Sequence, residues 1–268
     1  MTIRITLAGA TGWVGKALVA AVAAADDLAL VGAVARSAAG RDAGEAAGGP
    51  PLGLRIAATL EEALESPSDV VIDYTKPRVV KGHALAALAR GRHVVVGTSG
   101  LGADDYAEID EAARAAGRGV LAAGNFSITA TLMRRFALEA ARYVPDVEVI
   151  DYASAGKADT PSGTGRELAE LLGQVRLAPT AKPVAELSGV RETRGGAIGA
   201  PRPVQVHSVR MPSFVLSCEA ILGADNERLT IRHDAGSSAA PYVAGTLLAA
   251  RKVGGFVGLR RGLDAVME

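Results

Sequence analysis

Hydrophobic and polar positions follow two different rhythms along the chain. Up to about residue 125, short runs that are apolar almost throughout alternate with longer segments of helical period. The apolar runs are RITLAG (residues 4–9), LALVGAVAR (28–36), DVVIDYT (69–75), HVVVGTSG (93–100) and GVLAAGN (119–125). Between them lie WVGKALVAAVAAA (13–25), the brief EEALESP (61–67), HALAALARG (83–91, ended by Gly91) and DDYAEIDEAARAAG (104–117). The last opens on Asp104 and closes on Gly117, residue types that suit a helix N-terminus and C-terminus respectively. A strand that is apolar on both faces has to be covered on both, and the intervening helices supply that cover. The expected fold class is therefore α/β, with an N-terminal Rossmann-type parallel sheet. Residues 37–53, enriched in Ala and Gly, read as a loop.

From about Phe126 the rhythm changes. TATLMRRFALEAARY (129–143) has helical period and leads into the strand-like VEVIDYAS (147–154), and a second helix begins at PSGT. A Pro/Gly-rich stretch from Pro179 to Pro203 precedes three segments rich in β-branched residues: VQVHSVR (204–210), FVLSCEAIL (214–222) and ERLTIRH (227–233). This order predicts an α+β domain with a mixed or antiparallel sheet. The Ala-rich helix at 242–253 and the tail GLRRGLDAVM (258–267) return to the first domain. The expected division is residues 1–125 with 241–268, and residues 126–240.

Composition narrows the function classes. Acidic and basic residues balance at 29 each with no long run of either sign, which points away from nucleic acid and from an anionic membrane surface. The apolar runs are strand-length, and the N-terminus lacks a basic region followed by an apolar one, so neither a membrane span nor a signal peptide is expected. A single cysteine, Cys218, allows no internal disulfide, and the four histidines have no metal-ligand spacing. A cytoplasmic protein acting on small molecules, without a metal, is the expectation.

The first strand runs into Gly9-Ala10-Thr11-Gly12-Trp13-Val14-Gly15, which opens a helix. In a strand–turn–helix setting the glycines permit a tight bend, backbone approach to a phosphate, and close helix packing, while the helix N-terminus favours negative charge. This predicts a dinucleotide site. The second strand ends on Arg36, where an NAD site would hold a carboxylate against the ribose 2′-hydroxyl. A guanidinium suits a 2′-phosphate instead, so NADPH is expected over NADH. Thr75, Gly97, Thr98 and Ser99, at the ends of two further strands, add small polar residues to the edge where open α/β sheets bind ligands.

The second concentration of chemistry is Lys157-Ala-Asp-Thr-Pro-Ser162-Gly163-Thr164. Pro161 suits the first helical position with Thr160 or Asp159 as the cap. Ser162, Gly163 and Thr164 then offer first-turn N–H groups and two hydroxyls, and Lys157 adds a charge, which together favour an anion such as a carboxylate.

The order of Gly-rich turn, IDYTKP, VVVGTSGL, AAGNFSI, KADTPSGT, VHSVR and LTIRHD, spread over nearly the whole chain, resembles the dihydrodipicolinate reductase family of bacterial lysine biosynthesis. The resemblance implies an NAD(P)H-dependent reductase acting on a small carboxylated substrate. It also implies a dinucleotide-binding domain completed by the C-terminal segment, with a substrate-binding domain that joins a homotetramer through its sheet. By position, Gly9, Gly12, Trp13, Val14, Gly97, Thr98, Gly124, Asn125 and Phe126 would meet the cofactor. Lys157, Ser162, Gly163 and Thr164 would hold the substrate, with Lys157 also a proton donor.

The departures from that pattern are specific. Ala153-Ser154 stand where the family has paired histidines, and Leu216-Ser217-Cys218 stand where another histidine usually precedes Glu219. Thr129 and Thr131 replace a usual Gly and Asn, and Trp13 occupies a commonly basic position. An imidazole titrates near neutrality and donates protons readily, whereas alanine cannot and serine is a far weaker acid. Two alternatives follow: a reductase of the same architecture for another imino acid or carbonyl compound, and a non-catalytic dinucleotide-binding homologue.

Overall fold

The structure is a computed structural model that describes residues 2–267. It divides the chain into two units, Met1–Ile128 with Ala239–Glu268, and Thr129–Ser238.

The first unit is built on six parallel strands: β1 (Ile3–Ala8), β2 (Leu28–Val34), β3 (Val70–Asp73), β4 (His93–Val96), β5 (Gly119–Ala122) and β11 (Gly258–Arg261), in the order β11-β5-β4-β3-β1-β2. Period-2 alternation sends Ile5, Leu7, Ile72, Val95 and Leu121 into one core and Val71, Val94, Val96 and Val120 into the other. The first core is closed by α1 (Trp13–Ala23), α2 (Ala43–Ala47) and α8 (Ala240–Lys252). The second is closed by α3 (Leu60–Ala63), α4 (Pro77–Ala89) and α5 (Ala103–Ala116). Two buried faces explain why these strands read as continuous apolar runs. The α4 helix starts well before the expected position because Pro77, which lacks an N–H and has a preset φ, occupies its first turn.

Residues 37–53 depart from the expected loop. A short 3-10 turn, Arg36–Ala38, is followed by α2, whose cap Asp42 accepts hydrogen bonds from the Gly44 and Glu45 amides. The Ala/Gly bias masked a genuine N-cap.

The second unit carries a five-stranded sheet of β6 (Asp146–Ala153), β7 (Gly196–Ile198), β8 (Val204–Arg210), β9 (Leu216–Ala224) and β10 (Glu227–Ala235), ordered β10-β9-β6-β8-β7. The β6–β8 pair is parallel and the other pairs are antiparallel, so the sheet is mixed. Val147, Val149, Val206, Ala220 and Leu222 face a core completed by Met133 and Ala137 of α6 (Ile128–Ala140) and by Leu168 and Leu172 of α7 (Gly163–Val175). Strand β7 lies inside the Pro/Gly-rich stretch, whose composition gave no strand signal.

Candidate active site

The strand order makes the chain leave β1 for β2 on one side and then cross to β3 on the other, so a crevice opens at the carboxyl ends of β1 and β3. The residues singled out in the first 126 positions all lie along that carboxyl edge. Gly9, Ala10, Thr11, Gly12, Trp13 and Val14 follow β1 and enter α1; Arg36 follows β2; Thr75 follows β3; Gly97, Thr98 and Ser99 follow β4; Gly124, Asn125 and Phe126 follow β5.

Backbone geometry shows why glycine is needed at this edge. Gly9 has φ of +88°, and a Cβ there would lie 2.3 Å from the Tyr74 carbonyl oxygen. A Cβ on Gly97 would sit 2.3 Å from the Tyr74 ring. Tyr74, partly buried with its hydroxyl 2.7 Å from Thr246 Oγ1, thus forms a wall against which both glycine turns pass; desolvation of the hydroxyl also raises its phenol pKa. The α1 helix is capped by Gly12 with no side-chain bond, and the Trp13, Val14 and Gly15 amides have no hydrogen-bond partner among the described residues. Open donors at a helix N-terminus beside glycine backbone fit a pyrophosphate.

The candidates differ in what they can offer. Ala10 and Phe126 are 1% exposed, so only their backbones could meet a ligand; Phe126 packs its ring against Tyr74. The Thr98 hydroxyl is buried and donates to Asp73. Asn125 turns its Oδ1 to the Ser127 amide. Arg36 is exposed and carries no ion pair among the described residues. Trp13 is 57% exposed, with its ring edge-on to Tyr242 at 5.7 Å.

In the second unit, the stretch Asp151–Thr164 turns from the end of β6 into α7. The helix cap is Ser162, one of the residues read as part of the anion turn, and not Thr160 or Asp159; Pro161 precedes the cap and α7 begins at Gly163. Ser162 is buried. Its amide and hydroxyl both donate to Asp151, and its hydroxyl accepts from the Gly165 amide. The expected pair of outward hydroxyls is therefore reduced to one, that of Thr164, because Ser162 is turned inward by the buried carboxylate. The Gly163 and Thr164 amides remain without hydrogen-bond partners among the described residues. Lys157 Nζ is 2.8 Å from Asp159 Oδ1, at a partly exposed position, and that ammonium holds the Asp159 carboxyl below its ordinary pKa.

Asp151 and Arg210 are residues of this site that no sequence motif singles out. Asp151 is fully buried and pairs with Arg210 Nη2 at 2.7 Å, and the same Nη2 reaches the Asp159 carbonyl at 2.8 Å. One carboxylate and one guanidinium thus fix both ends of the turn that carries Lys157, Gly163 and Thr164. The signal was available: Val147 and Val149 set the inward parity of the strand, and a carboxylate two residues further on the same face requires partners. Ala153, on that inward face, is fully buried, and Ser154 beside it is exposed. Cys218 is buried in the core, where burial, with Asp151 and Glu219 nearby, pushes its thiol up to about 12.

Among the described residues no group of three or more His, Cys, Asp or Glu is arranged to hold a metal ion, and no helix is long and apolar enough to cross a membrane.

Comparison with known proteins places this geometry. The family model for the dihydrodipicolinate reductase N-terminus matches residues 3–126, and that for its C-terminus matches residues 129–263. The 4-hydroxy-tetrahydrodipicolinate reductase of Synechococcus elongatus is 39% identical over 99% of this chain and 98% of its own length. That of Nocardia farcinica is 40% identical over the full length of both. A dipicolinate-bound dihydrodipicolinate reductase from Paenisporosarcina sp. TG-14 is similar in structure, with a TM-score of 0.85, 27% identity and 99% coverage of both chains. An amine dehydrogenase from Mycobacterium smegmatis, at 15% identity and a TM-score of 0.67, shares the fold. The chain belongs to the dihydrodipicolinate reductase family of oxidoreductases.

Proposed function

We propose that this chain reduces 4-hydroxy-tetrahydrodipicolinate, or a closely similar cyclic carboxylated imine, with NADPH as the preferred reductant. The observation that carries the reading is end-to-end similarity to reductases of that name combined with retention of Lys157, Ser162, Gly163 and Thr164.

The first unit binds the dinucleotide. The glycine turn and the open amides of Trp13, Val14 and Gly15 take the pyrophosphate. Arg36, which has no ion-pair partner among the described residues, takes a 2′-phosphate, and this supports NADPH over NADH. Thr75, Gly97, Thr98, Ser99, Gly124, Asn125 and Phe126 shape the rest of the edge. Bound there, the reduced nicotinamide supplies hydride.

The second unit binds the substrate. The Gly163 and Thr164 amides and the Thr164 hydroxyl accept a carboxylate at the start of α7, where the helix dipole adds to the hydrogen bonds. Ser162 serves from beneath, by capping the helix. Lys157 adds charge to the carboxylate and delivers the proton, exchanging its bond to Asp159 for one to the substrate. Ala153 and Ser154 contribute no general acid, so Lys157 is the group on this stretch best suited to the task. The same reading has the protein cytoplasmic and assembled as a homotetramer through the sheet of the second unit, where β10 is mostly exposed.

Oxidation of NADPH in the presence of the freshly generated cyclic substrate tests the proposal, with turnover above ~1 s⁻¹ expected. Lys157→Ala should lower kcat/KM by ~10²-fold or more, the usual range for losing a general acid. Turnover confined to another α-imino acid would replace the substrate, and an unchanged Lys157→Ala variant would remove that residue from the mechanism.

A further inference from the structure

Asp73 closes β3 behind Val70, Val71 and Ile72, and is the single charged residue of that strand. Its side chain is 1% exposed. An ionised carboxylate so deeply buried is tolerated only when its acceptor positions are filled. Oδ1 accepts from the Thr75 amide at 2.9 Å, the Thr75 hydroxyl at 2.7 Å and the Thr98 hydroxyl at 2.8 Å. Oδ2 lies 2.7 Å from His83 Nδ1, on the second turn of α4. An ionised carboxylate only accepts, so Nδ1 carries the hydrogen.

These bonds join three elements. Thr75 belongs to the loop after β3, Thr98 to the loop after β4, and His83 to the helix between them. The two hydroxyls are drawn inward, while the Thr98, Ser99 and Gly100 amides have no hydrogen-bond partner among the described residues. On the β4 loop an inward hydroxyl and unpaired amides are what a ligand-binding edge needs: a fixed underside and an open rim.

We propose that Asp73 and His83 are positioning residues for dinucleotide binding. The Asp73 carboxylate clasps the β3 and β4 loops together, and His83 orients the carboxylate. The assignment rests on the reading above that this edge binds the cofactor. Neither side chain touches the ligand in this proposal; both act through the two loops.

The chain's one tryptophan, Trp13, stands exposed in the glycine turn, so quenching of its fluorescence during NADPH titration reports binding directly. His83→Ala and Thr98→Val should each raise the Kd for NADPH ~10-fold or more, as for loss of a hydrogen bond to a charged group. His83→Asn keeps an N–H donor near the Nδ1 position and should restore binding to within ~3-fold of wild type, less than the loss of one such bond. In the cofactor-free protein, hydrogen–deuterium exchange of residues 74–77 and 97–101 should quicken in His83→Ala and return toward wild type in His83→Asn. Wild-type Kd and wild-type exchange in a folded His83→Ala protein would overturn the clasp. Exchange that quickens while Kd stays unchanged would overturn its role in binding. A wild-type protein that binds neither NADPH nor NADH would sink the cofactor reading, and with it the purpose assigned here, while exchange would still decide whether the clasp exists.

Discussion

Arg36 is the side chain on which the proposed cofactor preference turns. It opens the 3-10 turn after β2 with its side chain in solvent and no ion pair among the described residues, and Ala35 before it is buried. A free guanidinium at this strand end favours a phosphate over a bare ribose hydroxyl. Arg36→Ala should therefore raise KM for NADPH ~10-fold or more while leaving that for NADH within ~2-fold, a charge-assisted contact being worth about 1.5–3 kcal/mol. Equal effects on both cofactors, measured by initial rates, would show that Arg36 does not read the 2′-phosphate. Residue type and position made this arginine visible from sequence, as they did Lys157. They did not reveal that Ser162 faces inward, because its direction is set by Asp151, a partner eleven positions away in the chain. The departure at Ala153 is of another kind: the position is buried and faces inward, and the residue type alone already showed that it cannot carry a proton.

At the scale of elements, the corner between β6 and α7 rests on one buried ion pair. Asp151 is fully buried and Arg210 is 13% exposed by side chain, and Asp151 also receives both donors of the Ser162 cap. Removing one partner of such a pair strands the other charge, which typically costs about 3–5 kcal/mol. Asp151→Ala should lower unfolding free energy by that amount in urea titration, more than Ser162→Ala, for which loss of a cap predicts about 0.5–2 kcal/mol. If the two variants proved equally stable, the ion pair would not be the element that holds the corner. The helices and apolar strands of the first unit were legible because burial on both faces leaves an unbroken apolar run. The second sheet was less so: the parallel pairing of β6 with β8 and the presence of β7 arise from long-range contacts that no local period encodes.

The whole molecule depends on its last segment more than the residues there advertise. GLRR is half charged and lacks a strand's apolar run, yet as β11 it pairs along the full length of β5, whose four residues are all buried. The surrounding tail places Val253 and Leu263 at 0% exposure and Val266 at 9% in the same core as α1 and α8, while Arg251 binds Asp27 through two hydrogen bonds. The return of the C-terminus to the first unit was visible in the Ala-rich period of α8, but its edge strand was not, because an edge position tolerates Arg260 and Arg261. Ending the chain after Lys252 would remove three buried apolar side chains, each worth about 1.5–3 kcal/mol. It would also leave β5 as an uncovered edge. That loss is comparable with the net stability of a typical domain, about 5–15 kcal/mol. The truncated protein should therefore lose the cooperative melting transition of the first unit in calorimetry and cease to quench Trp13 with NADPH. A truncated chain that melts and binds as the full one does would mean that β1 to β5 and their helices form a self-sufficient nucleotide fold, with β11 an ornament on its edge. The buried faces of β5 argue for the opposite outcome.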